Sequence, residues 1–144
     1  MNAYDCIATK LDIREFSPEH VPNEVKLKVL EAARLTGSGI NRQHWRFVLV
    51  QSPRGLAKLA DDSVTGKWVG GSDFAVIVLT NPTLRFHEID AGRVLQDMQL
   101  AAWDFGVVSC PFTGVKLKSS EGTLGSLKAS IRPRSLVSAT HGGG

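Results

Sequence analysis

Only two cysteines occur in the 144 residues, Cys6 and Cys110, and they form neither a metal-ligand spacing nor a disulfide framework. Two reduced thiols are the expectation. The four histidines, His20, His44, His87 and His141, are scattered and make no ligand cluster, so no metal is expected. No apolar run reaches the roughly 18 to 20 residues that span a bilayer. The opening Met1-Asn2-Ala3-Tyr4-Asp5 also lacks the basic start and apolar block of a secretion signal. These absences predict a soluble, cytoplasmic protein without a membrane partner.

Nucleotide and nucleophile signatures are missing as well. Gly37-Ser38-Gly39 follows a predicted helix and precedes a predicted strand, the reverse of a dinucleotide-binding turn. Gly66-Lys67 lacks the upstream glycine and following Ser or Thr of a phosphate loop. No Ser/His/Asp or Cys/His order stands out. If the chain is an enzyme, its chemistry belongs to a cofactor.

Charge of one sign is missing from the body. Residues 1–115 hold 12 Lys and Arg against 13 Asp and Glu, whereas residues 116–144 hold 5 against 1. The net +3 therefore comes from the tail, which argues against a nucleic-acid binder with a basic folded face. What is present is 42% apolar residues, enough for one domain with a real core and too few residues for two.

The periodicity predicts a short helix over residues 2–11, with Tyr4, Ile7, Ala8 and Leu11 on its apolar face. A second runs from Pro22 to about Thr36, with Val25, Val29, Ala32 and Ala33 on one side and Gly37 beyond its end. Trp45 to Ser52 reads as a strand buried on both faces, and Pro53 to about Ala60 as a helix. After a glycine-bearing loop over 61–72, Phe74 to Thr80 is a second buried strand. The strongest helical signal covers Phe86 to Phe105, where Ala91, Val94, Leu95, Met98, Ala101, Ala102 and Phe105 share a stripe. Leu100 and Trp103 lie off that stripe, which suggests a second covered side and a homodimer with this helix near the partner. Val107 to Phe112 reads as a third strand stopped by Pro111. Beyond Lys116 both periods fade, and residues 119–144 read as a poorly ordered tail with a short helix around Leu124 to Ala129.

Two stretches could carry chemistry. Gly37 to Phe47 packs two glycines with Ser38, Asn41 and Gln43, donors and acceptors suited to the polar edge of a planar heterocycle, or simply a polar connection. Lys10 and Arg14 flank a turn and could meet a phosphate, although a pair of basic residues is more often solvated surface.

Taken in order, Ile13-Arg14-Glu15-Phe16, Val21-Pro22 with Leu30-Glu31-Ala32-Ala33-Arg34, and Ser38-Gly39-Ile40-Asn41-Arg42-Gln43-His44-Trp45-Arg46-Phe47 resemble the N-terminal half of the FMN-dependent nitroreductase family. Asp90-Ala91-Gly92, Gln96 to Ala102, and Gly106 through Ser109-Cys110-Pro111 continue the resemblance, which covers residues 3–116. It implies an α+β fold, a three-layer α/β/α sandwich around a mostly antiparallel sheet, assembled as a homodimer. A flavin-binding domain over 1–118 would precede the atypical 119–144 tail, and the sheet's final strand would be missing.

The resemblance also implies FMN as cofactor, NAD(P)H as hydride donor and a small aromatic acceptor such as a nitroaromatic or quinone. Lys10 and Arg14 match basic residues around the FMN phosphate and ribityl end. Asp12 falls where a phosphate-binding serine is usual, and a carboxylate there would repel a phosphate. Ser38, Gly39, Asn41 and Gln43 match the loop that reaches FMN across the dimer interface, with His44 in place of a proline, which should loosen the loop. Thr113 and Gly114 fall where backbone approaches the flavin ring, and Lys67 could reach its pyrimidine side. A second reading is a truncated or degenerate relative without catalytic activity, acting as a flavin-binding or interaction module.

Overall fold

The computed structural model of the chain describes residues 1–113 and, as strand backbone, residues 126–133. Its elements run α1 (Ala3–Thr9), α2 (Asn23–Leu35), β1 (Arg46–Val50), α3 (Pro53–Asp62), β2 (Phe74–Leu79), α4 (His87–Asp104), β3 (Val107–Phe112) and β4 (Ser126–Pro133), with short 3-10 turns at Gly39–Asn41 and Lys67–Gly71. The local reasons are ordinary. Asn2 and Ser52 cap α1 and α3 by accepting from Asp5 N and Gly55 N, and Pro53 occupies the first turn of α3. Gly106, at φ +73°, turns the chain from α4 into β3.

Among the described residues four strands form one antiparallel sheet in the order β1-β2-β4-β3. β2 alternates between two cores, which makes the layers. Phe74, Val76 and Val78 join Val29 and Ala33 of α2 and Val94, Met98 and Ala102 of α4. Ala75 and Ile77 meet Leu56 and Leu59 of α3 and Val69 on the opposite face. The expected α/β/α sandwich around an antiparallel sheet is the fold observed.

Four expectations are corrected. Among the described residues β1 is an edge strand, paired only with β2, and Arg46 is exposed and Val48 42% exposed. On α1 the buried residue is Cys6, packed with Trp103 and Val108, while Tyr4, Ile7 and Leu11 are 77%, 60% and 59% exposed. The off-stripe Trp103 is accordingly covered by this chain's own α1, its indole Nε1 donating to Thr9 Oγ1 at 2.9 Å. Pro111 does not stop β3 but lies inside it, opposite Ala129, which an edge strand tolerates.

The fourth correction concerns the final strand, which is present as β4. Ser126–Pro133 pairs with β2 on one side and β3 on the other, where a short helix around Leu124 to Ala129 was expected. Residues 124 and 125 lie outside the described residues. A period-two pattern is there in the sequence, with Leu127, Ala129 and Ile131 alternating with Lys128, Ser130 and Arg132. No helix among the described residues is long and apolar enough to cross a membrane.

One buried charge cluster ties the start of α2 to the start of β2. Asp73 accepts from His20 Nδ1, from Val21 N at 3.0 Å and from Lys26 Nζ at 2.9 Å. Burial pushes its carboxyl toward a higher pKa, but the hydrogen bonds from His20, Lys26 and Val21 outweigh it and hold the group below the usual carboxylate range. A depressed carboxyl contributes stability that is present above its unfolded pKa of about 3.9 and is lost as pH falls through the folded value. Asp73→Asn should cost about 3 kcal/mol at neutral pH by leaving Lys26 buried without its counter-charge. Urea unfolding should also show that the variant loses less further stability than the parent chain between pH 5 and pH 3.

Candidate functional site

The loop between α2 and β1 is held in an unusual conformation. Ile40, Asn41 and Gln43 all have left-handed backbone, at φ 51°, 54° and 48°. Each such residue without glycine's freedom costs free energy, and a β-branched Ile40 costs most. Side chains from elsewhere hold the loop. The buried Asp90 carboxylate at the start of α4 accepts from Gly39 N at 3.0 Å and from His44 Nε2 at 3.0 Å. His44 Nδ1 accepts from Asn81 N at 3.1 Å, so its proton sits on Nε2, facing Asp90. Ser38 Oγ accepts from Gln43 N at 2.8 Å. His44, expected to loosen the loop, instead fastens it to α4 and to the β2–α4 turn.

Gly39 is required by space rather than by φ. A Cβ there would overlap the Phe86 ring. Asn41 and Gln43 are exposed and joined to each other, Gln43 Nε2 donating to Asn41 Oδ1 at 2.9 Å. The pair keeps Asn41 Nδ2 as a donor and Gln43 Oε1 as an acceptor, an edge of mixed polarity.

A second group forms around the end of α1. Lys10 Nζ lies 2.9 Å from Asp12 Oδ1, which also accepts from Gln99 Nε2 at 2.7 Å. Burial raises the Asp12 carboxyl, but hydrogen bonds from Lys10 and Gln99 and the charges of Lys10 and Arg14 hold it below the ordinary value. Backbone bridging of Asp12 to Ser109, with Ile13 N donating to Ser109 O at 3.0 Å, fixes this segment beside β3.

Gln99 connects the cation group to a groove of about 380 Å³ between α4 and the end of β3, walled by Gly92, Gln96 and Gln99 on one side and Pro111, Phe112 and Thr113 on the other. The Lys67–Gly71 turn closes on the same strand end. Trp68 packs edge-on against Phe112 with ring centroids 5.0 Å apart, Phe16 lies 6.1 Å from Trp68, and Thr65 Oγ1 donates to Thr113 O at 3.4 Å.

Within one chain, then, Lys10, Asp12 and Arg14 neighbour one another, and the segments carrying Lys67 and Thr113 close on the end of β3, while Ser38, Gly39, Asn41 and Gln43 form a separate group. Gly114 lies outside the described residues. The two groups hang from different sides of α4. From Asp90 to Gln99 the helix rises about 13 Å and turns through roughly half a revolution beyond its whole turns. The sequence alone marks none of Asp90, His44 and Gln99 as an anchor. A signal existed for Gln99, which falls four residues after Leu95 on the buried side of α4, and for Asp90, four before Val94. Polar side chains at such positions need partners.

Comparison with known proteins is consistent across sequence and structure. The family model described as "Nitroreductase family" matches residues 7–81. A protein of Methanothermobacter thermautotrophicus carrying the name NADH dehydrogenase/NAD(P)H nitroreductase is 29% identical over 119 residues, covering 80% of this chain and 62% of that protein. The chain thus spans 62% of the length of the curated relatives it matches. Among solved structures, a nitroreductase family protein from Clostridium novyi superposes with a TM-score of 0.83 at 18% identity, over 94% of this chain and 86% of that one. A nitroreductase in complex with FMN from Desulfovibrio desulfuricans gives 0.81 at 22% identity, over 94% and 87%. At these identities the structural likeness is one of fold.

Asp90→Ala should free the 38–43 loop from α4. Hydrogen bonds to a charged group contribute about 1.5–3 kcal/mol each, so amide exchange at Gly39 and Gln43 should accelerate markedly while the β2 amides stay protected. Equal acceleration in both places would mean that Asp90 supports the whole fold and not the loop.

Proposed function

This chain belongs to the nitroreductase family, and on that premise we propose that it is an FMN-dependent NAD(P)H oxidoreductase acting as a homodimer on small aromatic acceptors. The observation that carries the reading is the 38–43 loop, in which three left-handed residues are held by Asp90, His44 and Ser38 so that an amide edge faces outward. Strain retained against its own cost marks a functional surface. The names of the relatives and the FMN in neighbouring structures favour the same cofactor and donor.

The residues present suit such a cofactor. Asn41 and Gln43 would meet the polar edge of the flavin ring with a donor and an acceptor. Lys10 and Arg14 would face the phosphate and ribityl end, with Thr113 and Lys67 near the ring and the groove beside Gly92 receiving apolar surface. Bound FMN would supply the redox chemistry, accepting a hydride from NAD(P)H and passing electrons to a nitroaromatic, quinone or similar acceptor. The chain's own part is to orient the ring, shield one face from water and present N–H and cationic groups that favour negative charge on the ring.

Two copies are needed because the loop and the cation group sit on different sides of α4, and one ligand cannot meet both in one chain without crossing the helix. The exposed Tyr4, Ile7 and Leu11 beside the cation group offer an apolar surface for the second copy. A second reading, a binding module without catalysis, draws on the Lys10–Asp12 pair, which engages a cation that the phosphate would use. Steady-state oxidation of NAD(P)H with a nitroaromatic separates the two.

Titrating the protein with FMN should quench flavin fluorescence and shift its visible absorbance, and Asn41→Ala or Gln43→Ala should weaken that binding about tenfold, the equivalent of one good hydrogen bond. A chain that leaves the flavin spectrum unchanged at saturating FMN would overturn the assignment.

A further inference from the structure

Asp12 is not a loosely attached surface carboxylate. Its backbone is bridged to Ser109, one oxygen accepts from both Lys10 and Gln99, and Gln99 is itself buried with Ser109 Oγ 3.3 Å from its Nε2. The carboxylate cannot swing aside without giving up two hydrogen bonds. Yet its side chain is 52% exposed, so a ligand at this turn meets it directly. The result is a fixed negative charge between two cations, Lys10 and Arg14, one of which it already engages.

Such an arrangement treats two ligand ends differently. A phosphate, which carries between one and two negative charges at neutral pH, gains Arg14 and part of Lys10 but meets a held anion at close range. A neutral polyol end meets a carboxylate able to accept from its hydroxyls, and two cations it does not need. We propose that Asp12 is a specificity-determining residue that cancels most of the phosphate's contribution to binding, so that this chain recognises a flavin by its ring and ribityl hydroxyls and barely distinguishes FMN from riboflavin. This rests on the flavin reading above. The ring that would supply the redox chemistry is common to the two flavins, so the charge at the far end would alter occupancy and not that chemistry.

The test compares FMN and riboflavin affinities by fluorescence quenching in the full chain, in Asp12→Asn and in Asp12→Ser. The Asn variant keeps an oxygen to accept from Lys10 and Gln99, so the turn keeps its hydrogen bonds while losing its charge. The parent chain should bind the two flavins within about threefold of each other, and both variants should prefer FMN by about tenfold or more through tighter FMN binding, with riboflavin little changed. The gained preference should shrink as salt rises. A parent chain that already favours FMN tenfold, or variants whose FMN-to-riboflavin ratio does not move, would overturn the proposal while leaving the flavin reading intact. If neither flavin binds to any of the three proteins, both fall together.

Discussion

The Asp90 carboxylate is the constraint around which this molecule is arranged. It is buried at the first turn of the longest helix and collects the Gly39 amide and the His44 imidazole, with Arg93 at 4.0 Å. A charge taken out of water needs full compensation, and here it comes from a loop that would otherwise have no reason to adopt three left-handed residues. The strain in the loop and the burial of the charge are therefore two halves of one solution. Gly39 can approach because it has no Cβ to strike Phe86, and His44 reaches both Asp90 and Asn81 because its two ring nitrogens can play opposite roles.

α4 carries this constraint and distributes it. Its stripe of Val94, Met98 and Ala102 faces the core shared with α2 and β2. From other sides it holds the loop through Asp90, the Lys10–Asp12 turn through Gln99, and α1 through Trp103. One helix thereby ties together the 38–43 loop, the Lys10–Asp12 turn and α1, while the Lys67–Gly71 turn is positioned separately by the end of β3.

Most of this framework could be read from the residues, and the failures have identifiable causes. α2, β2 and α4 follow from apolar periodicity because the dominant force on each is burial. In β1 the run Phe47-Val48-Leu49-Val50 suggests burial on both faces, yet it is apolar whether or not a second neighbour pairs with it. On α1 the spacing of Tyr4, Ile7 and Leu11 marks an apolar face correctly but cannot say that this chain leaves it bare. β4 is hard to read because Lys128 and Arg132 dilute the apolar signal of a strand whose position in the sheet is central. At the site, the loop residues were legible by type, whereas the Asp90–His44–Gly39 contact joins segments far apart in sequence and has no local signature.

The strand order carries a consequence for the chain's biogenesis. β4 is the latest described strand in sequence and yet lies between β2 and β3, filling a slot that both earlier strands leave open. Until residues 126–133 take their place, β2 and β3 each have a row of amides and carbonyls without the neighbour they pair with in the finished sheet, and no hairpin between them closes the gap. The nascent polypeptide must keep those margins from zipping onto one another, or onto another polypeptide, until the missing member arrives. Pairing of these open margins with each other or with another chain thus competes with the insertion of β4 that completes the sheet.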